Sequence, residues 1–237
     1  MTDPGVVVEA CGDQAIVVRF GTRIDPEVNA RAQAVAACVR AASPPWLIDC
    51  VPSYAAVLIV FDPLAVDAAD VDVETFARQQ ATAATAANAE PTAGRLVEVP
   101  VCYAPEMAPD LADVAQARGL SAGEVVRRHA GPIYRVYALG FRPGFPFMGT
   151  VDEAIAIPRL ATPRARVSAG AVGIAGQQTG IYPGAGPGGW RLVGRTPWRL
   201  FDPAAPAPFR LAAGDRVRFV PIDADDFHRL REGRDDD

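Results

Sequence analysis

Glycine and proline are crowded into one stretch of this chain, and that crowding limits its fold more than any other feature. Residues 131–203 hold 13 of the 21 glycines and 9 of the 22 prolines, whereas residues 1–91 contain only Gly5, Gly12 and Gly21. A segment that meets a corner residue every few positions cannot sustain helices, so it must build short strands joined by tight turns, as a barrel or sandwich does. The strands expected there are Tyr134–Leu139, Arg166–Ser168, Ala171–Ala175, Arg191–Val193, Arg199–Phe201 and Arg216–Pro221.

The first part reads differently. Val6–Ala10 and Ala15–Phe20 flank Cys11-Gly12-Asp13 as a hairpin. Asp25-Pro26 supplies an N-cap and a first-turn proline for a helix with Val28, Ala32, Val35 and Val39 on one face. Strands at Trp46–Val51 and Ala55–Phe61 precede a second helix from about Asp72 to Asn88. Strand pairs alternating with helices predict a small α/β sandwich, an antiparallel sheet covered on one face. The run Ala81–Pro91 reads as a helix end entering a linker, with a boundary near Thr92. The expected division is therefore 1–92, the sandwich, and 93–237, which opens with a strand at Leu96–Val101 and helices at Pro109–Arg118 and Ser121–His129. Ser121 with Glu124 forms a capping box, and the charge-rich tail Arg229–Asp237 is expected to fray. The overall class is α+β.

Composition removes several chemistries. All 23 cations are arginine, so a Schiff-base lysine, a biotinyl lysine and a phosphate-loop lysine are excluded together. Two histidines, His129 and His228, are too few for a histidine-rich metal site. Cys11, Cys38, Cys50 and Cys102 lack zinc or redox spacing and read as buried free thiols. No metal is expected. The longest apolar run, Ala55–Phe61, is far short of the roughly 20 residues of a membrane helix. Met1–Gly5 shows no cationic segment ahead of an apolar stretch, and a cytoplasmic protein is expected. A net charge of −5 without a lysine-rich face argues against nucleic acid as a partner.

Against that acidic background, residues 154–201 contain no Asp or Glu but six arginines, namely Arg159, Arg164, Arg166, Arg191, Arg195 and Arg199. Guanidinium forks suit carboxylate or phosphate, and glycine corners let backbone N–H groups approach a ligand. The opposing reading makes these arginines solvated strand-edge charges and the glycines mere corners. In Gly140–Gly149, Phe141, Phe145 and Phe147 either line a pocket or plug the base of the barrel. Gln177, Gln178, Thr179 and Tyr182 offer hydrogen bonds to an amide or carboxylate, or to buried backbone. His129 is either a general acid–base or, as the default, a cation facing a helix C-terminus. No Gly-x-Ser-x-Gly nucleophile elbow occurs.

The strings Gly140-Phe141-Arg142-Pro143-Gly144-Phe145, Pro158–Val167, Ala169–Pro183, Pro187-Gly188-Gly189-Trp190, Gly194-Arg195-Thr196-Pro197 and Leu200-Phe201-Asp202-Pro203, with Val51-Pro52-Ser53-Tyr54 earlier, resemble the family of B-type 5-oxoprolinase subunits. That family is also labelled KipI-like or allophanate hydrolase subunit 1. The resemblance implies a cyclophilin-like β-barrel for the second domain. It implies ATP-dependent opening of the lactam 5-oxoproline to glutamate, together with a C-type subunit (KipA-like, allophanate hydrolase subunit 2) and an A-type subunit (LamB/YcsF-like). The chain alone is expected to be inactive.

ATP, with magnesium, would be held by arginine, by glycine backbone or by the partner subunit. The alternatives are an allophanate hydrolase or urea carboxyltransferase subunit, and an inhibitor of a histidine kinase. On this reading Arg166, Gln178 and Tyr182 are the expected catalytic residues. Arg159, Arg164, Thr179, Gly176, Trp190 and Phe145 are expected to bind substrate. Where the family usually shows Gly-Gly-Gln-Thr-Gly this chain has Gly176-Gln177-Gln178-Thr179-Gly180, and the extra side chain is expected to narrow the pocket. Ala171 replaces a usual serine, Phe147-Met148 a usual Tyr-Leu, and Gly184-Ala185-Gly186 a loop that often carries an acid.

Overall fold

The computed structural model describes residues 6–86 and 94–232. Two compact units divide the chain, Met1–Gly94 and Arg95–Asp237.

In the first unit, β1 (Val7–Ala10) and β2 (Ala15–Arg19) form the expected hairpin. Helix α1 (Pro26–Ala42) starts where the Asp25 carboxylate accepts the N–H groups of Glu27 and Val28, and Pro26 supplies a preset φ. Then come β3 (Leu47–Pro52), β4 (Ala56–Phe61), a short α2 (Pro63–Ala68) that periodicity does not reveal, and α3 (Val73–Ala86). The antiparallel sheet has the order β1-β2-β4-β3. Its register lines up Ile16 with Ile59 and Cys50, and Val18 with Val57 and Pro52, so alternate residues share one buried face. Ala32, Val35, Ala36 and Val39 of α1 and Ala77 and Ala81 of α3 belong to the same core. The expected helix end at Asn88 and the boundary near Thr92 fall outside the described residues.

The second unit runs β5 (Leu96–Cys102), α4 (Leu111–Arg118), α5 (Ala122–Ala130), β6 (Ile133–Leu139), β7 (Pro146–Gly149), a 3₁₀ turn (Glu153–Ile155), β8 (Arg164–Val167), β9 (Ala171–Ala175), β10 (Gln178–Ile181), β11 (Gly186–Gly188), β12 (Arg191–Arg195), β13 (Arg216–Ile222) and α6 (Ala224–Glu232). Seven strands close a barrel in the order β10-β7-β6-β13-β5-β12-β9, and β8 and β11 form a separate ribbon. Only β5 and β13 pair in parallel within it. The α+β expectation of a sandwich followed by a barrel therefore holds.

Details differ from the sequence reading. Arg199–Phe201 is not a strand, because only Phe201 pairs, through a bridge to Phe209. The tail expected to fray from Arg229 is helical to Glu232, where Phe227 anchors it with no exposed surface, and residues 233–237 lie outside the described residues. Half of the Ser121 capping box forms. The Ser121 hydroxyl accepts the Glu124 N–H, but the Glu124 carboxylate turns to Arg127 and Arg128 instead. Of the four free thiols, Cys50 and Cys102 are buried, Cys38 is half-buried and Cys11 is exposed. Burial pushes the Cys50 thiol up to about 11.

Candidate functional site

Strands β9 and β10 form a hairpin with Ala175 opposite Gln178, so Gly176 and Gln177 are its two-residue tip. Gly176 has φ +58°, and both tip residues are exposed. Gln177 therefore narrows no cavity. Strand alternation then separates the neighbours Gln178 and Thr179. Thr179 pairs with Ile174 on the face of the main barrel core, whereas Gly180 sits opposite Gly173, under the Phe145 ring.

On the Thr179 side, four groups form a closed chain. Thr179 Oγ1 donates to the Gly173 carbonyl (3.0 Å), which leaves it to accept from His129 Nε2 (2.9 Å). His129 Nδ1 in turn accepts the Tyr103 hydroxyl (2.8 Å). This assignment makes His129 a neutral imidazole, stacked on Phe219 at 4.7 Å, and burial lowers its pKa from 6.5 to about 3. The default expectation of a helix-terminal cation is overturned, because desolvation outweighs the helix dipole. The Thr179 hydroxyl is fully used inside the protein.

On the other side, Phe145, Tyr182 and Trp190 meet in a second core cluster. Phe145 stands edge-on to both Tyr182 (5.2 Å) and Trp190 (5.4 Å). Phe145 is thus a plug, as is half-buried Phe147 against Trp190, while Phe141 remains 63% exposed. Ala171 belongs to the same cluster. The β8–β11 ribbon, in which Gly188 lies opposite Arg164, supplies the Trp190 end of this cluster. Glycine is required at 188, since a Cβ would come within 2.4 Å of the hydroxyl oxygen of the buried Tyr182, whereas at 186 a Cβ would meet only the Arg142 guanidinium and displace it. Arg142 Nη1 also donates to the Ala185 carbonyl (2.7 Å), so the acid-free loop is pinned by a cation.

Three guanidiniums act on the Tyr182 phenol. Burial raises its pKa, opposed by a backbone bond from Trp190 and by the charges of Arg159, Arg164 and Arg142. The phenol keeps its proton and is only 2% exposed. Arg159 lies over the Trp190 ring at 6.0 Å. Arg164 Nη2 donates to Asp110 Oδ1 (2.6 Å), and Asp110 Oδ2 accepts the Leu192 N–H (2.6 Å), so this arginine ties β8 to the start of α4 and to β12. Its Nη1 is buried without a partner. Arg166 is exposed on the same ribbon, and Gln178 is half-buried at the start of β10. The structure thus gathers Tyr182, Trp190, Phe145, Arg159 and Arg164, adds Arg142, and sends Thr179 and Gly176 elsewhere.

A larger opening lies beside this cluster. Ala169 and Pro183, next to Gly170 and Tyr182, border a groove of about 820 Å³ whose charged walls are Arg95, Arg195, Arg199, Arg210 and Arg231, against Asp202 alone. Arg95 is bound to Asp215, and Arg199 to Asp202 at 3.2 Å. No carboxylate among the described residues bonds Arg195, Arg210 or Arg231. Arg195 Nε donates to the Ala169 carbonyl, and Arg210 lies over Trp198 at 4.6 Å. Burial first, and then Arg231 for Arg195 and Arg95 for Arg210, hold these two pKa values below the usual arginine value. Such a surface attracts anions. The acid-free stretch had singled out Arg195 and Arg199. Arg95, Arg210 and Arg231 are brought in from distant sequence and carried no comparable signal. No group of His, Cys, Asp or Glu able to hold a metal occurs among the described residues.

Comparison with known proteins agrees with this architecture. The family model "Carboxyltransferase domain, subdomain C and D" matches residues 6–211. The B-type 5-oxoprolinase subunit of Bacillus subtilis (strain 168) is 41% identical over 233 residues, covering 95% of this chain and 96% of that protein. The chain belongs to the family of B-type 5-oxoprolinase subunits. Among solved structures, TTHA0988 superposes with a TM-score of 0.74 at 40% identity over 89% of this chain, which spans 40% of the TTHA0988 chain. Kluyveromyces lactis urea carboxylase superposes with a TM-score of 0.68 at 19% identity, covering 97% of this chain and 23% of that chain, which shows a shared fold.

Proposed function

We propose that this chain is the B-type component of a heteromeric, ATP-dependent 5-oxoprolinase, which opens 5-oxoproline to glutamate together with a C-type and an A-type subunit in the cytoplasm. The observation that carries this reading is the 41% identity to a protein of that name across 95% of the chain. Among the described residues no helix is long and apolar enough to cross a membrane.

Water attacks a lactam slowly. Transfer of the ATP γ-phosphoryl group to the amide oxygen releases ADP and activates the carbonyl carbon, so that water can add there. The C–N bond can then break as the nitrogen takes a proton, and hydrolysis of the acyl phosphate that remains gives glutamate and phosphate. Each stage concentrates negative charge, which preorganised guanidiniums stabilise. In this reading Arg142, Arg159 and Arg164 hold the positive field around the protonated Tyr182, over the Trp190 wall. Of the expected catalytic set, Arg166 is exposed and Gln178 is half-buried. The isolated chain, lacking its partners, is inactive.

The test is coexpression with C-type and A-type subunits and an assay of ATP hydrolysis with and without 5-oxoproline. Hydrolysis dependent on 5-oxoproline supports the reading, and its absence with all three subunits present overturns it. Urea and allophanate in the same assay decide against the carboxyltransferase alternative if they give no turnover. In the active complex, Arg166→Ala and Gln178→Ala lower kcat if these residues act on substrate.

A further inference from the structure

We propose that the arginine groove of the barrel unit is a binding site for a nucleoside triphosphate, with Arg195, Arg199, Arg210 and Arg231 on the polyphosphate and the exposed ring of Phe209 beside the base. This inference rests on the proposed function only in naming the bound nucleotide a co-substrate.

Size, charge and wall chemistry point the same way. A groove of about 820 Å³ lies near the upper end for small-molecule sites and far exceeds what a five-membered lactam fills. Three of its guanidiniums have no carboxylate among the described residues, and Arg199 pairs with half-buried Asp202 at 3.2 Å. Crowded like charges of this kind call for a ligand bearing three or four negative charges rather than a single carboxylate. Guanidinium forks supply bidentate donors to phosphate oxygens, which answers how a chain with no lysine meets a polyphosphate.

The groove also has an apolar side. Phe209 is 46% exposed and is held 5.0 Å from Phe201, and Trp198 stands under Arg210. An exposed flat ring next to cations with no carboxylate partner among the described residues fits a purine attached to phosphates better than it fits inorganic phosphate. The wall is built to stay in place. Residues 200–210 fold back through Asp202 N–H to the Pro208 carbonyl (2.9 Å) and Arg210 N–H to the Leu200 carbonyl (3.0 Å), and Thr196 Oγ1 accepts the Trp198 N–H (3.2 Å).

The experiment is equilibrium dialysis of the full chain with radiolabelled ATP, with and without magnesium, and with tripolyphosphate and adenosine as competitors. Saturable ATP binding is expected, weakened at least tenfold by Arg199→Ala combined with Arg210→Gln and unchanged in Arg78→Ala, with circular dichroism showing that each variant is folded. Phe209→Ala should weaken ATP several-fold while leaving tripolyphosphate competition as it was. Absence of saturable binding, or wild-type affinity in the folded double variant, overturns the site. Equal affinity for tripolyphosphate and ATP overturns its nucleoside part. ATP binding with no 5-oxoproline-dependent turnover in the assembled complex overturns the proposed function and leaves the site. Turnover unaffected by groove variants that have lost ATP binding leaves the proposed function and overturns the co-substrate role of the nucleotide bound in the groove.

Discussion

Among the described residues, the sheet-and-helix unit buries one polar side chain, Asn29, while the barrel unit buries Asp110, His129, Thr179, Thr196 and Asp215. The core of the first unit is apolar, with alanines and valines around Trp46, Phe20, Ile16 and Ile59, and Asn29 ties its own helix to the Ser53 and Tyr54 carbonyls. The barrel adds polar side chains as cross-braces. Asp110 joins α4 to β8 and β12, Asp215 accepts from Arg95, and His129 bridges Tyr103 and Thr179. Alongside its large apolar core, the barrel thus also fixes position by directional bonds, which are costly when one partner is lost.

The two units should therefore fail differently, and hydrogen exchange read peptide by peptide can follow each separately. The largest effect is expected from Asp110→Ala, which strands Arg164 and the Leu192 N–H and should cost the barrel about 3–5 kcal/mol while peptides of the first unit keep their protection. Equal loss in both units would break the comparison.

Acid comes next. His129 has its pKa lowered from 6.5 to about 3 by burial, so between those values the unfolded chain takes up a proton that the folded barrel refuses. Barrel stability should fall by about 1.4 kcal/mol per pH unit as pH drops below 6.5. The first unit contains no histidine and lacks this term. His129→Gln should flatten the slope, and a slope unchanged in that variant would count against the neutral buried imidazole.

A smaller effect of about 2 kcal/mol is expected for Val35→Ala, a simple cavity in the apolar core of the first unit. It should be independent of pH and invisible to barrel peptides. Smallest of all is Arg166→Ala, an exposed residue whose loss should change stability by less than about 0.5 kcal/mol. A larger change in the melting temperature would mean that Arg166 braces the ribbon.

These contrasts parallel what was readable in advance. The α1 face at residues 32, 35 and 39 and the hairpin at its start follow from periods of 3.6 and 2, which are local properties. Strands β7, β10 and β11 were not legible, since Pro146, the polar pair Gln178-Thr179 and the sequence Gly186-Pro187-Gly188 look like loop chemistry until a barrel supplies their partners. Helix α6 was hidden by its charges, with Phe227 as its one fully buried contact. Within the candidate site, the clustering of Tyr182, Trp190, Phe145, Arg159 and Arg164 came from a single contiguous stretch. The groove did not, because it draws on Arg95, Arg210 and Arg231 as well.

By itself, then, the amino-acid order determined the class of each unit, the helix caps, the absence of lysine chemistry and a cationic, acid-free segment. Only the tertiary structure decided which cations gather around one groove, that His129 is neutral, and that Gln178 and Thr179 serve opposite faces. Local propensity acts over a few residues, whereas a charge or a hydrogen bond takes its energy from whatever the closed barrel places within a few ångströms of it.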